Sequence, residues 1–161
     1  MKKQVLIAGG GIAGLAAGLG AVRAGCEVRL FERAAVFSEV GAGVQLGPNV
    51  VRRLQAWGLQ QPLQAVAAFP PRLRVRCALS GAELAQLPLG AQAVQRYGGA
   101  YVTIHRADLH ALLLAAVQQE GEVHLNLEHP IDSYREADGA ITVRAGGKKI
   151  IEGDALIGAD G

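Results

Sequence analysis

The sequence predicts an α/β domain built on a mainly parallel sheet with a small antiparallel β-meander. Three observations carry this. A G-x-G-x-x-G spacing (Gly9, Gly11, Gly14) stands between an apolar strand and a helical stretch near the start. A second, leucine-rich helix leads into another apolar strand past the middle of the chain. Short alternating segments separated by Asp138-Gly139 and Gly146-Gly147 then precede the last strand, Ala155 to Ile157. Strand-helix-strand runs favour parallel pairing through crossovers, whereas Asp-Gly and Gly-Gly turns favour antiparallel neighbours.

The first unit runs from Gln4 to Arg33. Gln4 to Ala8 form a short apolar strand, and Ile12 to Ala24 have helical composition without proline. Gly9 lets the chain turn sharply out of the strand, Gly11 lets backbone N–H groups approach a pyrophosphate, and Gly14 lets the helix pack on the sheet. The N–H groups of the first helical turn, with Ile12 and Ala13, then face the phosphates, where the helix dipole favours negative charge. Glu32 ends the second strand about 20 residues after Gly11, where a carboxylate accepts hydrogen bonds from ribose hydroxyls and disfavours a 2′-phosphate. The unit therefore reads as dinucleotide-binding. The motif alone does not separate NAD from FAD, although Gly18 extends the small-residue face by one turn, a feature of FAD proteins.

Beyond Arg33 the pattern is irregular, and GAGVQLGPN (Gly41 to Asn49) reads as a glycine-rich loop with Pro48 placed for a first helical turn. The helix that follows carries Val50, Val51, Leu54 and Trp57 on one expected buried face and ends at Gly58. Pro70 and Pro71 mark a boundary before a strand in RLRVRCAL (Arg72 to Leu79), a turn at Ser80-Gly81, and a second strand through Leu87. Tyr101 to Ile104 read as a further strand. Ala107 to Gln119 form the second clear helix, with Leu109, Leu112, Leu113, Ala116 and Val117 on its apolar face and Asp108 near its positive end. Gly121 stops it. Glu122 to Asn126 read as a parallel strand, and Ile131 to Arg135, Ile141 to Arg144 and Lys148 to Ile151 as the meander.

Composition narrows the function classes. With 161 residues, 50% of them hydrophobic and 19% charged, the chain suits one globular core. A net charge of +2 without a basic run, and 4% aromatic residues, argue against a nucleic-acid partner. Cys26 and Cys77 fall in no ligand or redox pattern, and His105, His110, His124 and His129 include no helical H-x-x-x-H pair, so no metal is expected. Lys2-Lys3 followed by an uncharged stretch resembles a signal peptide, but Gly9, Gly10, Gly11, Gly14, Gly18 and Gly20 occupy it, and it runs into a charged strand. The expectation is a cytoplasmic protein with no membrane span. A chain that stops at Asp160-Gly161, directly after an apolar strand, is expected to be the N-terminal portion of a longer protein.

With Gly9 to Gly14, Glu32-Arg33, GAGVQLGPN, HRADLHALLLAAV and DALIGADG in this order, the whole chain resembles the single-component flavoprotein aromatic hydroxylases of the salicylate hydroxylase and 3-hydroxybenzoate 6-hydroxylase type. The resemblance implies a Rossmann-like FAD-binding domain over residues 1–161, truncated before the rest of the substrate domain, with residues 71–104 contributing strands to that domain. It implies that Glu32 binds the adenosine ribose and that Arg33 lies along the adenine and phosphate side. Arg106 would reach the pyrophosphate or ribityl chain, where a guanidinium chelates oxygens in bidentate fashion. Gly43, Val44 and Gln45 would lie near the flavin, with Gln45 a candidate contact on its isoalloxazine or substrate side. Asp160 would serve the flavin phosphates and the reduced nicotinamide. The family's second flavin motif, a Gly-Asp pair, is expected beyond Gly161.

The activity implied is hydroxylation of an aromatic acid or phenol with FAD bound, NADH or NADPH as co-substrate and O2 as oxidant. The flavin carries that chemistry, so no residue here is assigned as catalytic acid or base. A strand-edge association or homodimer through residues 72–87 and 101–104 is expected of a fragment that leaves those edges open. Three rivals stay open: an NAD-dependent dehydrogenase, another FAD enzyme of the same fold such as a halogenase or prenyl reductase, and an inactive truncated nucleotide-binding module.

Overall fold

The computed structural model describes residues 2–37, 41–147 and 149–161. The chain divides into two compact units, Met1–Glu39 with His110–Gly161, and Val40–Leu109.

The first unit is built on a four-stranded parallel sheet of β1 (Gln4–Ala8), β2 (Glu27–Phe31), β7 (Val123–Asn126) and β11 (Ala155–Gly158), in the order β11-β1-β2-β7. Helix α1 (Ile12–Arg23) crosses from β1 to β2. Because successive strand residues point to opposite faces, β1 has two packing surfaces. Leu6 and, from β2, Phe31 bury into a cluster with Val143, Ala145 and Ile151 of the meander, formed by β8 (Ile131–Ala137), β9 (Ala140–Ala145) and β10 (Lys149–Gly153). Ile7 and Val28 lie on the other face, where a Cβ on Gly18 of α1 would stand 3.6 Å and 3.7 Å from their side chains. The meander turns behave as the sequence requires. Asp138, Gly139, Gly146 and Gly147 all have positive φ, the geometry of hairpin turns whose twist suits the flanking strands. Lys148, where the third meander strand was expected to start, lies outside the described residues.

The second unit holds two antiparallel pairs, β3 (Gly43–Leu46) with β6 (Val102–His105) and β4 (Arg72–Arg76) with β5 (Glu83–Pro88), and helices α2 (Pro48–Ala56), α3 (Gln60–Val66) and α4 (Gly90–Tyr97). Helix α5 (Arg106–Gln118) starts here and continues into the first unit. Its expected apolar face is buried from Leu109 to Val117.

Four expectations need correction here. The GAGVQLGPN loop contains β3, because Val44 and Leu46 alternate against Ile104 and Val102, a short strand that the flanking glycines obscure. Helices α3 and α4 were not expected. Pro62 falls in the first turn of α3, where its missing N–H costs nothing, and Gly98 closes α4 in the left-handed conformation. Val50 is exposed rather than part of the buried face of α2, which consists of Val51 and Leu54 with Trp57 half-buried beyond the helix. Strand β4 ends at Arg76, since Cys77 bonds across the turn to Ala82 and Gly81 back to Cys77.

Strands β4 and β5 pair with each other, and every one of their residues is exposed. Strand β6 differs from the open edge expected of it. It pairs with β3 on one side, and on the other Thr103 exchanges two backbone bonds with Ala68 at 2.8 and 2.9 Å.

Candidate dinucleotide site

In the first unit, the turn after β1 is shaped by what its glycines must avoid. Gly9 has φ +106, and a Cβ there would overlap the backbone of Ala159, just before Asp160. Gly14 is as tightly placed, because a Cβ on it would overlap the carbonyl of Gly9. The start of α1 is thereby drawn down onto the end of β1, and the chain leaving β11 passes beside the turn. The Ala159 N–H donates to the Ala8 carbonyl at 2.7 Å, which carries the β1/β11 pairing past the last strand residue.

The N-cap of α1 is Gly11, in extended conformation, and no side chain caps it. The first intrahelical bond near the start is donated by Leu15 to Gly11 at 3.0 Å, so the preceding N–H groups, those of Ile12 and Ala13 among them, have no intrahelical acceptor. An uncapped N-terminus at the C-terminal end of a parallel sheet suits a pyrophosphate.

Glu32 follows β2 directly. Its Oε2 accepts the Gly10 N–H at 2.6 Å and its Oε1 accepts the Ala34 N–H at 2.9 Å. Each carboxylate oxygen has a second lone pair, so the group is held in place and still able to accept hydroxyl hydrogens. The structure thus brings together Gly9, Gly11, Ile12, Ala13, Gly14, Glu32 and the Ala159-Asp160 segment. Arg33 is exposed beside Glu32, and Asp160 is itself exposed.

The remaining expected residues belong to the second unit. Val44 and Gln45 lie on β3, in register with Ile104 and Thr103 of β6. Arg106 begins α5, directly after β6. Its N–H donates to the Ala42 carbonyl at 3.2 Å, and a Cβ on Gly41 would come within 2.9 Å of its Cδ. The glycine at 41 is what allows the arginine stem to lie on the loop backbone.

Two residues of the first unit escaped the sequence reading. His110 is buried, with its Nε2 2.8 Å from the Gly10 carbonyl oxygen. The Phe37 ring stands against Gly10 and 6.2 Å from the His110 ring, centroid to centroid. A signal was available for the histidine: at 110 it falls inside the apolar stripe of α5, three residues before Leu113 and seven before Val117.

These residues suit the pyrophosphate and ribose of a dinucleotide: a backbone cradle without side chains for the phosphates and a fixed carboxylate for the ribose. The comparisons agree. The chain is 38% identical over 157 residues to the 3-hydroxybenzoate 6-hydroxylase of Polaromonas naphthalenivorans, covering 98% of this chain and 39% of that protein. It is 38% identical over 160 residues to the 6-hydroxynicotinate 3-monooxygenase of Bordetella bronchiseptica, covering 99% and 41%. The p-nitrophenol 4-monooxygenase PnpA of Pseudomonas putida shares its fold, with TM-score 0.87 and 20% identity over the full chain and 41% of that structure. The flavin-dependent monooxygenase PieE, solved with FAD and substrate, does so with TM-score 0.81 and 24% identity over the full chain and 30% of that structure. The chain spans about two-fifths of the length of the curated relatives it matches. Residues 2–161 match the FAD binding domain family model, and the chain belongs to that family.

Proposed function

We propose that this chain is the FAD-binding part of an NAD(P)H-dependent flavoprotein monooxygenase that hydroxylates an aromatic acid or phenol. The observation that carries the reading is the Gly9–Gly14 turn, in which positions 9 and 14 are packed so tightly against the backbone of Ala159 and of the turn itself that only glycine fits there, with the Glu32 carboxylate fixed beside it. The relatives supply the substrate class. One is named for 3-hydroxybenzoate and another for 6-hydroxynicotinate, both single aromatic rings bearing a hydroxyl and a carboxylate.

In this reading the α1 N-terminus and Gly11 hold the pyrophosphate, Glu32 the adenosine ribose, and Arg33 the adenine side. Arg106 serves the pyrophosphate or ribityl chain, Val44 and Gln45 lie by the flavin ring, and Asp160 serves the phosphates. Bound FAD supplies hydride acceptance from NADH or NADPH and the reaction with O2; the side chains named here bind and orient it. Among the described residues no helix is long and apolar enough to cross a membrane, and a cytoplasmic setting suits a nicotinamide-dependent reaction. The exposed β4–β5 hairpin belongs, in this reading, against the substrate domain or a second copy of the chain.

The test is purification of the whole protein, its visible flavin spectrum, and NADH or NADPH oxidation with hydroxybenzoates and hydroxynicotinates under 18O2. A flavin-bearing protein that inserts one labelled oxygen into such a ring is the expected result. A flavin-bearing protein that hydroxylates none of these rings but halogenates or reduces another substrate would move it to the rival FAD chemistries. A protein that binds NAD and no FAD would make it a dehydrogenase.

A further inference from the structure

His110 is the buried polar side chain of the described core, 4% exposed on the second turn of α5, and the binding roles proposed above leave it unused. Its Nε2 meets a carbonyl oxygen, so the ring nitrogen donates, and the acceptor is Gly10 at 2.8 Å. That carbonyl belongs to one of the two glycine–glycine peptides of the turn. This peptide joins Gly10 to Gly11, and without a Cβ on either side neither residue restrains its rotation.

We propose that His110 is a positioning residue for the pyrophosphate cradle, holding the Gly10–Gly11 peptide so that the Gly11 N–H is aimed at the phosphates. This inference rests on reading the turn as a dinucleotide site. A trans peptide is planar, with its carbonyl and N–H pointing in opposite directions. A donor fixed on the Gly10 carbonyl therefore fixes the Gly11 N–H on the side away from His110. Gly10 is held at both polar groups: its N–H is bound by Glu32 Oε2 at 2.6 Å and its carbonyl by His110. The Phe37 ring packs against Gly10 and tilts 43° to the imidazole, closing a third side of the glycine to water. Glu32 thus has two tasks, ribose and turn, whereas His110 acts on the turn alone.

The ligand class follows from the geometry: the histidine matters for a ligand with phosphates and not for one without. The experiment compares wild type, His110→Phe and His110→Gln in the whole protein stripped of flavin. Phenylalanine keeps a ring of similar volume without the donor, and glutamine places an amide N–H near the position of Nε2. Calorimetric titration with FAD, ADP and adenosine gives three dissociation constants per protein, and thermal melting of each apoprotein checks its fold.

The expected result is a roughly tenfold weakening of FAD and ADP in His110→Phe, the loss of one hydrogen bond's worth of organisation. Adenosine should change by less than about twofold, and His110→Gln should recover most of the loss. Equal weakening of ADP and adenosine, or unchanged ADP, in a folded His110→Phe protein overturns the proposal while leaving FAD binding intact. Wild type that binds neither FAD nor ADP overturns the dinucleotide reading and this inference with it. Should neither variant fold, the wild-type imidazole reports by 15N correlation spectroscopy: a protonated Nε2 supports the bond, and an unprotonated Nε2 overturns it.

Discussion

The glycine turn after β1 and the β4–β5 hairpin each place a glycine at a reversal of the chain, and they are opposite in what holds them. In the turn, Gly9 and Gly14 meet backbone on the side where a Cβ would stand, and Gly10 is bonded through both its N–H and its carbonyl. In the hairpin, Leu73 and Val75 pair with Leu87 and Ala85 across one face, yet Leu73, Val75 and Leu87 remain about half exposed. A two-stranded hairpin is marginal in water without a surface to bury its apolar face. The turn is held by contacts among the described residues, whereas the hairpin keeps its apolar residues open to solvent.

The largest expected effect breaks the first half of this contrast. Gly14→Ala places a methyl group into the Gly9 carbonyl, and backbone cannot swing away as a long side chain does. The cost should be about 3 kcal/mol, the upper end of the usual range for overpacking, since a fixed neighbour forces backbone shifts. Chemical denaturation should show it as a lowered midpoint, accompanied by loss of FAD binding. Gly9→Ala should follow closely, because it adds the strain of φ +106 to the overlap with Ala159. A Gly14→Ala protein as stable as wild type would mean that the turn has slack and that its glycines answer only to a ligand.

Next in size is Glu32→Ala, which leaves the N–H groups of Gly10 and Ala34 without their acceptor. About 1–3 kcal/mol of stability should be lost, less to the extent that water replaces the carboxylate. Glu32→Gln keeps one acceptor oxygen and should lose less stability, though it weakens the grip on a ribose. If both variants melt with wild type, the carboxylate serves only the ligand, and the turn owes its shape to glycine packing alone.

What the sequence disclosed follows the same division. Strands β1, β2, β7 and β11 of a mainly parallel sheet, helices α1 and α5, and the meander turns were legible, because each rests on local sterics or on a period read directly from side chains; the order of the strands was not. Glu32 was legible from its spacing. Its bonds to Gly10 and Ala34, which make it part of the turn, were not, because they depend on where the chain goes after β2. Helix α4 was missed because Gly90 at its start and Gly98 at its end look like loop punctuation, and α3 because Pro62 looks like a breaker. For His110 the apolar stripe of α5 signals burial but not the partner, a backbone carbonyl 100 residues earlier, because no side-chain motif records such a bond.

The hairpin side of the contrast is sharpened by Leu73→Ser with Leu87→Ser. These two residues face each other in the β4–β5 register and are exposed, so in this chain by itself the pair should cost no more than about 1 kcal/mol, the range of surface substitutions. In the whole protein, if the hairpin packs on a substrate domain, the same pair should cost several times more, as buried leucines do. Equal and small losses in both would show that nothing covers the hairpin. A large loss in the chain alone would show that its apolar face is already packed.

The smallest effect tests whether membership of the parallel sheet, rather than burial, makes a contact matter. Asp154 stands just before β11, away from the glycine turn, and accepts from Lys3 Nζ at 2.6 Å and from the Gln4 N–H at 2.7 Å. The hydrogen bond from Lys3, then that from Gln4, holds its carboxyl below the ordinary value of 3.8, and the same carboxylate raises Lys3 above 10.5. A depressed carboxylate pKa contributes stability above pH 3.8, and that contribution is lost as pH falls through the lower folded-state value. The raised lysine works in the other direction: its share is present below pH 10.5 and is lost as pH rises through the folded value. Asp154→Asn should therefore melt slightly below wild type between about pH 5 and 9, with the two curves converging at acid pH and the gap narrowing without closing at alkaline pH, where the bond from the Gln4 N–H outlasts the lysine charge. The gap should be small and should narrow in salt, because both side chains are open to solvent and exposed pairs contribute little. A wide, salt-insensitive gap would place Asp154 with the glycine turn as a fixture of the sheet, held by its bond to the Gln4 backbone rather than by the charge of Lys3.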